Sequence, residues 1–212
     1  MVVHLNDVIE LIERKVIGKH QYLYISGAGC AGKTTLTSSI IVKNQDRKIN
    51  VVATDNFLVD SKLRNNVKLF STERVTSFCK EAYFMPALDA VHCALMNRDA
   101  QWIPNDQHTC SRMETNFDLS IIEGVGAAFL KKCQDAYNIF IDCSEEDELI
   151  RRLKRDGANR SISNNQIKAD SYDRRKQYYR NILPLKSEYD LVLFSNSDFS
   201  LNVIDDKLNY LF

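Results

Sequence analysis

Eight consecutive residues, Gly27-Ala28-Gly29-Cys30-Ala31-Gly32-Lys33-Thr34, fit the pattern G-x-x-x-x-G-K-[ST]. In this pattern successive backbone N–H groups turn inward around a polyphosphate, and glycines permit the dihedrals and the close approach. Lys33 is placed to reach the outer phosphates and the Thr34 hydroxyl to bind Mg²⁺. Thr35, directly behind them, completes the expected nucleotide-binding set. Three of the chain's seven glycines fall inside this short loop. Cys30 stands near the start of the helical stretch that follows, where a thiolate is favoured. As an x position of the pattern it reads more simply as a small, permitted side chain.

Two carboxylates and a run of arginines add to the loop. Glu123 follows the apolar run Leu119-Ser120-Ile121-Ile122 and precedes Gly124. It could hold Mg²⁺ opposite Thr34, or cap a neighbouring helix. Asp55 ends the run Ile49-Asn50-Val51-Val52-Ala53-Thr54. It could accept the proton of a hydroxyl attacking a γ-phosphate, or close an ordinary Asx turn. Arg151-Arg152-Leu153-Lys154-Arg155-Asp156, with Arg160 beyond, could close positive charge over a triphosphate. The same stretch also offers i,i+4 ion pairs, Asp147 with Arg151 and Glu148 with Arg152. Arg155, which has no acid four residues before it, and Arg160 are therefore assigned to the phosphates, with Arg152 third. Tyr83, Phe84, Trp102, Tyr178 and Tyr179 could stack on a base, although core or rim packing is the better reading for any one of them.

These groups need elements to position them. Leu5, Val8, Ile9, Ile12 and Val16 form a helical stripe ended by Gly18. Apolar runs at 22–25, 49–53, 119–122, 137–141 and 189–194 read as strands. Helices are expected at about 33–43, at 145–156 with Ser144 as cap, and at 200–211. Strands alternating with helices imply a parallel sheet covered on both faces, with ligands at the carboxyl ends of the strands. That is where the loop, Asp55, Glu123 and Asp142 fall. The stretch 56–118 is mostly helical in pattern and reads as an insertion over the sheet edge, so residues 1–212 are expected to form one domain.

Composition narrows the classes. The 28 basic and 28 acidic residues cancel, which argues against a protein devoted to nucleic acid or an anionic membrane. With 44% hydrophobic and 26% charged residues the chain is of globular type. The six cysteines form no C-x-x-C and no zinc spacing, as expected of reduced thiols in the cytoplasm. No signal core or membrane-length apolar run occurs, so no membrane partner is expected.

Taken together, these elements resemble the uridine kinase–phosphoribulokinase group of P-loop kinases. The resemblance rests on the loop, on Asp55-Asn56-Phe57 after the second strand, on Ile121-Ile122-Glu123-Gly124-Val125, on Ile139-Phe140-Ile141-Asp142, and on the lid Arg151 to Asp156. It covers about residues 20–195. It implies a P-loop NTPase three-layer sandwich with a five-stranded parallel core, a helical lid at 151–160 and a substrate region in 56–118. It also implies ATP and Mg²⁺, transfer of the γ-phosphate to a hydroxyl of a small metabolite, Asp55 as general base, and Arg155 and Arg160 on the phosphates. A homodimer is left open. No His-Pro segment follows Asp55-Asn56-Phe57, and Leu58 stands where the group commonly has Tyr. The acceptor therefore stays open among nucleosides, pantothenate-like compounds and sugar phosphates.

Three other classes are weighed. A nucleoside monophosphate kinase would use arginines of the insertion, among Arg64, Arg74, Arg98 and Arg112. A GTP switch would need a late Asn-Lys-x-Asp reader, and the sequence has none. A regulatory ATPase would need no acceptor, but the chain retains Lys33, Thr34, Asp55 and Glu123 together.

Overall fold

A computed structural model of the chain describes residues 2–64, 66, 68–69, 73–105, 109–159 and 163–208, with backbone only for 68–69 and 157–159. Strand β1 (Val2–Val3) leads into α1 (Leu5–Leu11), which a π-helical turn carries to Val16. There follow β2 (Tyr22–Gly27), α2 (Lys33–Lys43) and β3 (Ile49–Ala53), then α3 (Ser61–Arg64), β4 (Lys68–Leu69) and β5 (Glu73–Arg74). Next come α4 (Met85–Asn97), β6 (Trp102–Pro104), β7 (Cys110–Arg112), β8 (Leu119–Glu123) and β9 (Ala136–Cys143). The chain continues through α5 (Glu145–Asn159), α6 (Asn164–Gln177), β10 (Leu191–Ser195) and β11 (Leu201–Asp206).

The main sheet has the order β1-β11-β10-β9-β2-β8-β3. The five strands β3, β8, β2, β9 and β10 are parallel, as expected, and β11 and β1 add an antiparallel edge. β2, β8 and β9 are buried at every position, as a sheet covered on both faces requires. The alternation along β2 separates two cores. Leu23 and Ile25 pack with Val8, Ile12, Leu36 and Ile40 of α1, its extension and α2. Tyr22 and Tyr24 face Leu88, Val91 and Leu95 of α4. The result is an α/β three-layer sandwich.

Two expectations are corrected. Of the helix expected over 200–211, Leu201–Asp206 is instead β11, because these residues find an open edge of β10 to pair with, and 209–211 lie outside the described residues. The insertion is less helical than its pattern suggests. Besides α3 and α4 it contains two short hairpins, β4–β5 and β6–β7. The long helix α6 and the turns that follow it to Glu188 have no counterpart in the sequence reading.

Candidate active site

The phosphate loop leaves β2 at its carboxyl end, in the middle of the sheet. Its carbonyls are drawn outward and each has a donor. Lys33 Nζ donates to Ala28 O at 2.6 Å and reaches Gly27 O at 3.5 Å. Cys143 Sγ donates weakly to Gly29 O at 3.5 Å, and burial pushes that thiol up to about 12, so it stays a neutral donor. Arg151 Nη1 donates to Cys30 O at 3.2 Å. Gly32, at φ 101, sets the left-handed turn into α2. Ala28 N–H is taken by Ile141 O at 2.9 Å, so facing an anion falls to the loop N–H groups after it. Burial raises the Cys30 thiol, which favours the reading of a small side chain at a permitted position.

At the mouth of the loop, Thr34 Oγ1 donates to Glu123 Oε1 at 3.3 Å. Burial raises the Glu123 carboxyl above its ordinary range; Lys33 opposes the shift and the charge of Asp55 adds to it. A hydroxyl and a carboxylate so placed are hard oxygen donors of the kind Mg²⁺ takes. Among the described residues no group of three or more His, Cys, Asp and Glu side chains could hold a metal by itself. A site here would therefore need ligand oxygens from a nucleotide as well.

Asp55 lies in the 3₁₀ turn Thr54–Phe57 after β3 and is exposed. A Cβ on Gly124 would come within 3.4 Å of Asp55 Oδ1 and would collide with Thr54 Oγ1. Gly124, at φ 118, thus lets the Glu123 and Asp55 turns close on one another. The charge of Asp55 is also felt by Tyr83 and Arg64 of the insertion. The two strand-end acids therefore lie on the same side of the loop, Glu123 on the adjacent strand β8 and Asp55 on β3 beyond it.

The lid differs from expectation. Asp147 takes the Ser144 hydroxyl at 2.6 Å, and Glu148 takes Arg174 at 3.3 Å and Arg175 at 2.9 Å. The expected pair Asp147–Arg151 gives way to the local helix cap Ser144, and Glu148–Arg152 to the tertiary partners Arg174 and Arg175, which are buried where helix-surface pairs would be solvated. Arg151 instead braces the loop. Besides Cys30 it holds Ser195 Oγ at 3.1 Å and Asn196 O, and it lies over the Phe199 ring. Arg152 is buried against Asp156 at 3.5 Å. Arg155 is half-exposed and donates to Asp156 Oδ1 at 2.7 Å, on the loop side, where its charge acts on Cys30. Arg160 lies outside the described residues. Asp142 is structural, accepting from Tyr178 Oη at 2.5 Å and Lys186 at 3.3 Å.

The four arginines of the insertion have different partners. Arg64 donates to Val59 O at 2.7 Å, Arg74 pairs with Asp170 at 2.6 Å, Arg98 lies over Phe117, and Arg112 is exposed in β7. Tyr83 and Tyr178 are buried, whereas Trp102 and Phe84 are exposed. Sequence reasoning missed Glu148, Arg174 and Arg175 as neighbours of the loop. The signal available was the basic cluster Arg174-Arg175-Lys176 in an otherwise unpatterned polar stretch.

Fold and site together define a nucleotide-binding protein of the phosphate-loop class. The model of the phosphoribulokinase / uridine kinase family matches residues 23–201. The chain belongs to that family, and it is an ATP-dependent small-molecule kinase. A uridine kinase from Streptococcus thermophilus is 27% identical over 179 residues, covering 80% of this chain and 83% of that protein. The structure is similar to phosphoribulokinase from Rhodobacter spheroides, with TM-score 0.63, 16% identity, and 88% and 81% of the two chains covered. It is also similar to D-glycerate 3-kinase from Cryptococcus neoformans, with TM-score 0.60, 10% identity, and 94% and 97% covered. Among the described residues no helix is long and apolar enough to cross a membrane.

Proposed function

We propose that the chain works as one domain that transfers the ATP γ-phosphate to a hydroxyl of a small metabolite bound against the 56–118 insertion, with Asp55 as general base. The observation that carries this reading is the placement of Asp55. It is an exposed strand-end carboxylate beside the Glu123-Gly124 turn, and its charge acts on Tyr83 and Arg64 of the insertion as well as on Glu123 and Arg155. The loop from Gly27 to Thr35 cradles the phosphates. Lys33 exchanges its carbonyl contacts for the outer phosphate oxygens, and Asp55 takes the proton of the attacking hydroxyl. Thr34 and Glu123 would hold Mg²⁺, which when bound spreads the charge on the phosphates. Arg155 and Arg160, on the lid at 151–160, approach as it closes, with Arg152 behind them.

The missing His-Pro segment and Leu58 leave the acceptor class to experiment. A thermal-shift screen of nucleosides, pantothenate-like compounds and sugar phosphates, each with Mg²⁺ and a non-hydrolysable ATP analogue, reads acceptor binding as stabilisation by mass action. Hits are then tested for acceptor-dependent ATP consumption. ATP hydrolysis that no acceptor accelerates would overturn the reading in favour of an ATPase.

A further inference from the structure

The loop's third residue carries a constraint that the phosphate pattern alone does not explain. Gly29 has no positive φ. Yet a Cβ there would collide with Glu148 Oε1 and come within 3.0 Å of Arg174 Nη2. A carboxylate and a guanidinium from α5 and α6 are therefore packed directly on the loop backbone. They lie next to Ala28, whose carbonyl holds the Lys33 ammonium. Since that lysine serves the outer phosphates, this is the γ-phosphate side of the loop.

A buried carboxylate beside a triphosphate is repulsive unless it is neutralised. Two arginines share Glu148, and they do so unequally. Arg175 makes the shorter bond, 2.9 Å, and also donates to Cys143 O at 3.0 Å and lies over Tyr178. It is fixed in the wall of the sheet. Arg174 makes the longer bond, 3.3 Å, reaches across to Ser77 Oγ of the insertion at 2.9 Å, and lies over the Phe78 ring. The Nε atoms of both arginines are buried without a hydrogen-bond partner among the described residues, so the difference lies in their Nη contacts. One guanidinium thus keeps Glu148 neutralised, while the other keeps donor capacity at the loop, between the phosphate side and the acceptor side.

We propose that Arg174 is a catalytic residue that contacts the γ-phosphate, moving from Glu148 onto its oxygens while Arg175 retains Glu148. The inference rests on the kinase reading above and adds to it a cation outside the 151–160 lid. As the bond from the γ-phosphorus to the ADP oxygen breaks and the bond to the acceptor oxygen forms, the acceptor's proton goes to Asp55. Arg174 takes up charge on the oxygens of the transferring group.

The test needs no acceptor. Wild type, R174A and R174K are titrated calorimetrically with Mg²⁺·AMP-PNP and with Mg²⁺·ADP, and the ratio of the two Kd values is compared. A charge-assisted contact to the γ-phosphate predicts that R174A weakens AMP-PNP by about tenfold or more while ADP changes by less than about twofold. R174K should recover part of the loss. Equal weakening of both nucleotides, or none, overturns the proposal and returns Arg174 to packing on Phe78 and Glu148. A wild-type protein that binds neither nucleotide brings down the kinase reading together with it. If R174A does not fold, R174Q, which keeps a donor toward Ser77, supplies the same ratio.

Discussion

The carboxyl ends of β2 and β3 lie close together and are built on different principles. At β2 the backbone forms the site. The carbonyls of Ala28, Gly29 and Cys30 are drawn out by Lys33, Cys143 and Arg151, and each donor stands on a strand end or a long helix. At β3 the site is left to individual side chains of the insertion. Asn56 holds Pro104 O at 2.7 Å, Tyr83 holds Ser77 O at 2.9 Å, and Gln177 holds Thr76 N at 3.0 Å from far along the sequence. A backbone site tolerates one sequence pattern and serves one kind of ligand. A side-chain site can be rebuilt residue by residue without disturbing the sheet.

Substitutions at the two ends should separate them. The largest effect is expected from Asp55→Asn, which keeps size and turn geometry but cannot take a proton. Its kcat should fall by about 10²–10⁴-fold with ATP affinity nearly unchanged. Steady-state kinetics with ATP, Mg²⁺ and acceptor varied separately would show this. Near-normal turnover would make Asp55 only an Asx turn. Lys33→Ala acts on the β2 end and should cost about 10²–10³-fold in kcat. Survival of activity within about threefold would break the assignment of the loop.

Gln177→Ala sharpens the contrast through stability. Gln177 is fully buried, accepts from Thr76 N and Oγ, and donates to Arg74 O. Its loss leaves buried groups unpaired and should cost about 3 kcal/mol. For a chain of this size that lowers the melting temperature by roughly 6–12 °C. Acceptor KM should rise more than ATP Kd, and an equal rise in both would erase the distinction between the two ends.

The smallest effect concerns pH. Glu123 must be ionised to hold Mg²⁺, and burial raises its pKa. Metal affinity should therefore fall as pH is lowered through that raised value, by about tenfold per unit below it. Titrating Mg²⁺ into the nucleotide complex between pH 5 and 8 checks this against Glu123→Gln, which should keep only the dependence due to the nucleotide's own terminal phosphate.

The same difference decides what could be read from the sequence. The five parallel strands, α2, the loop and both strand-end acids were legible because each is a local signal: an apolar run, a glycine pattern, an acid where a strand stops. The antiparallel edge was not, since Leu201–Asp206 becomes a strand only through the partner that β10 offers. The lid's ion pairs were misread because i,i+4 spacing shows helical neighbours but not the buried competitors, Arg174 and Arg175, that take Glu148. The insertion's hairpins depend on contacts such as Arg74 with Asp170, 96 residues apart, which leave no local trace.

Helix α6 can also be considered as a lever. Its carboxyl end is fixed by Arg175 on Cys143 O, by Gln177, and by the adjoining Tyr178 on Asp142. Its 14 residues make an arm of about 21 Å, so a tilt of about 10° at the fixed end would sweep the far end through about 4 Å. Arg174, less than a turn from the fulcrum, would shift by under about 1 Å in the same movement. Arg74 is tied at both places: its backbone O to Gln177 at the fulcrum, and its N–H and guanidinium to Asp173 and Asp170 further out. One small rotation would thus shift the Asp170 end of the Arg74 contact by about 2 Å while the Arg74 backbone stays with Gln177 and Arg174 moves less than half as far.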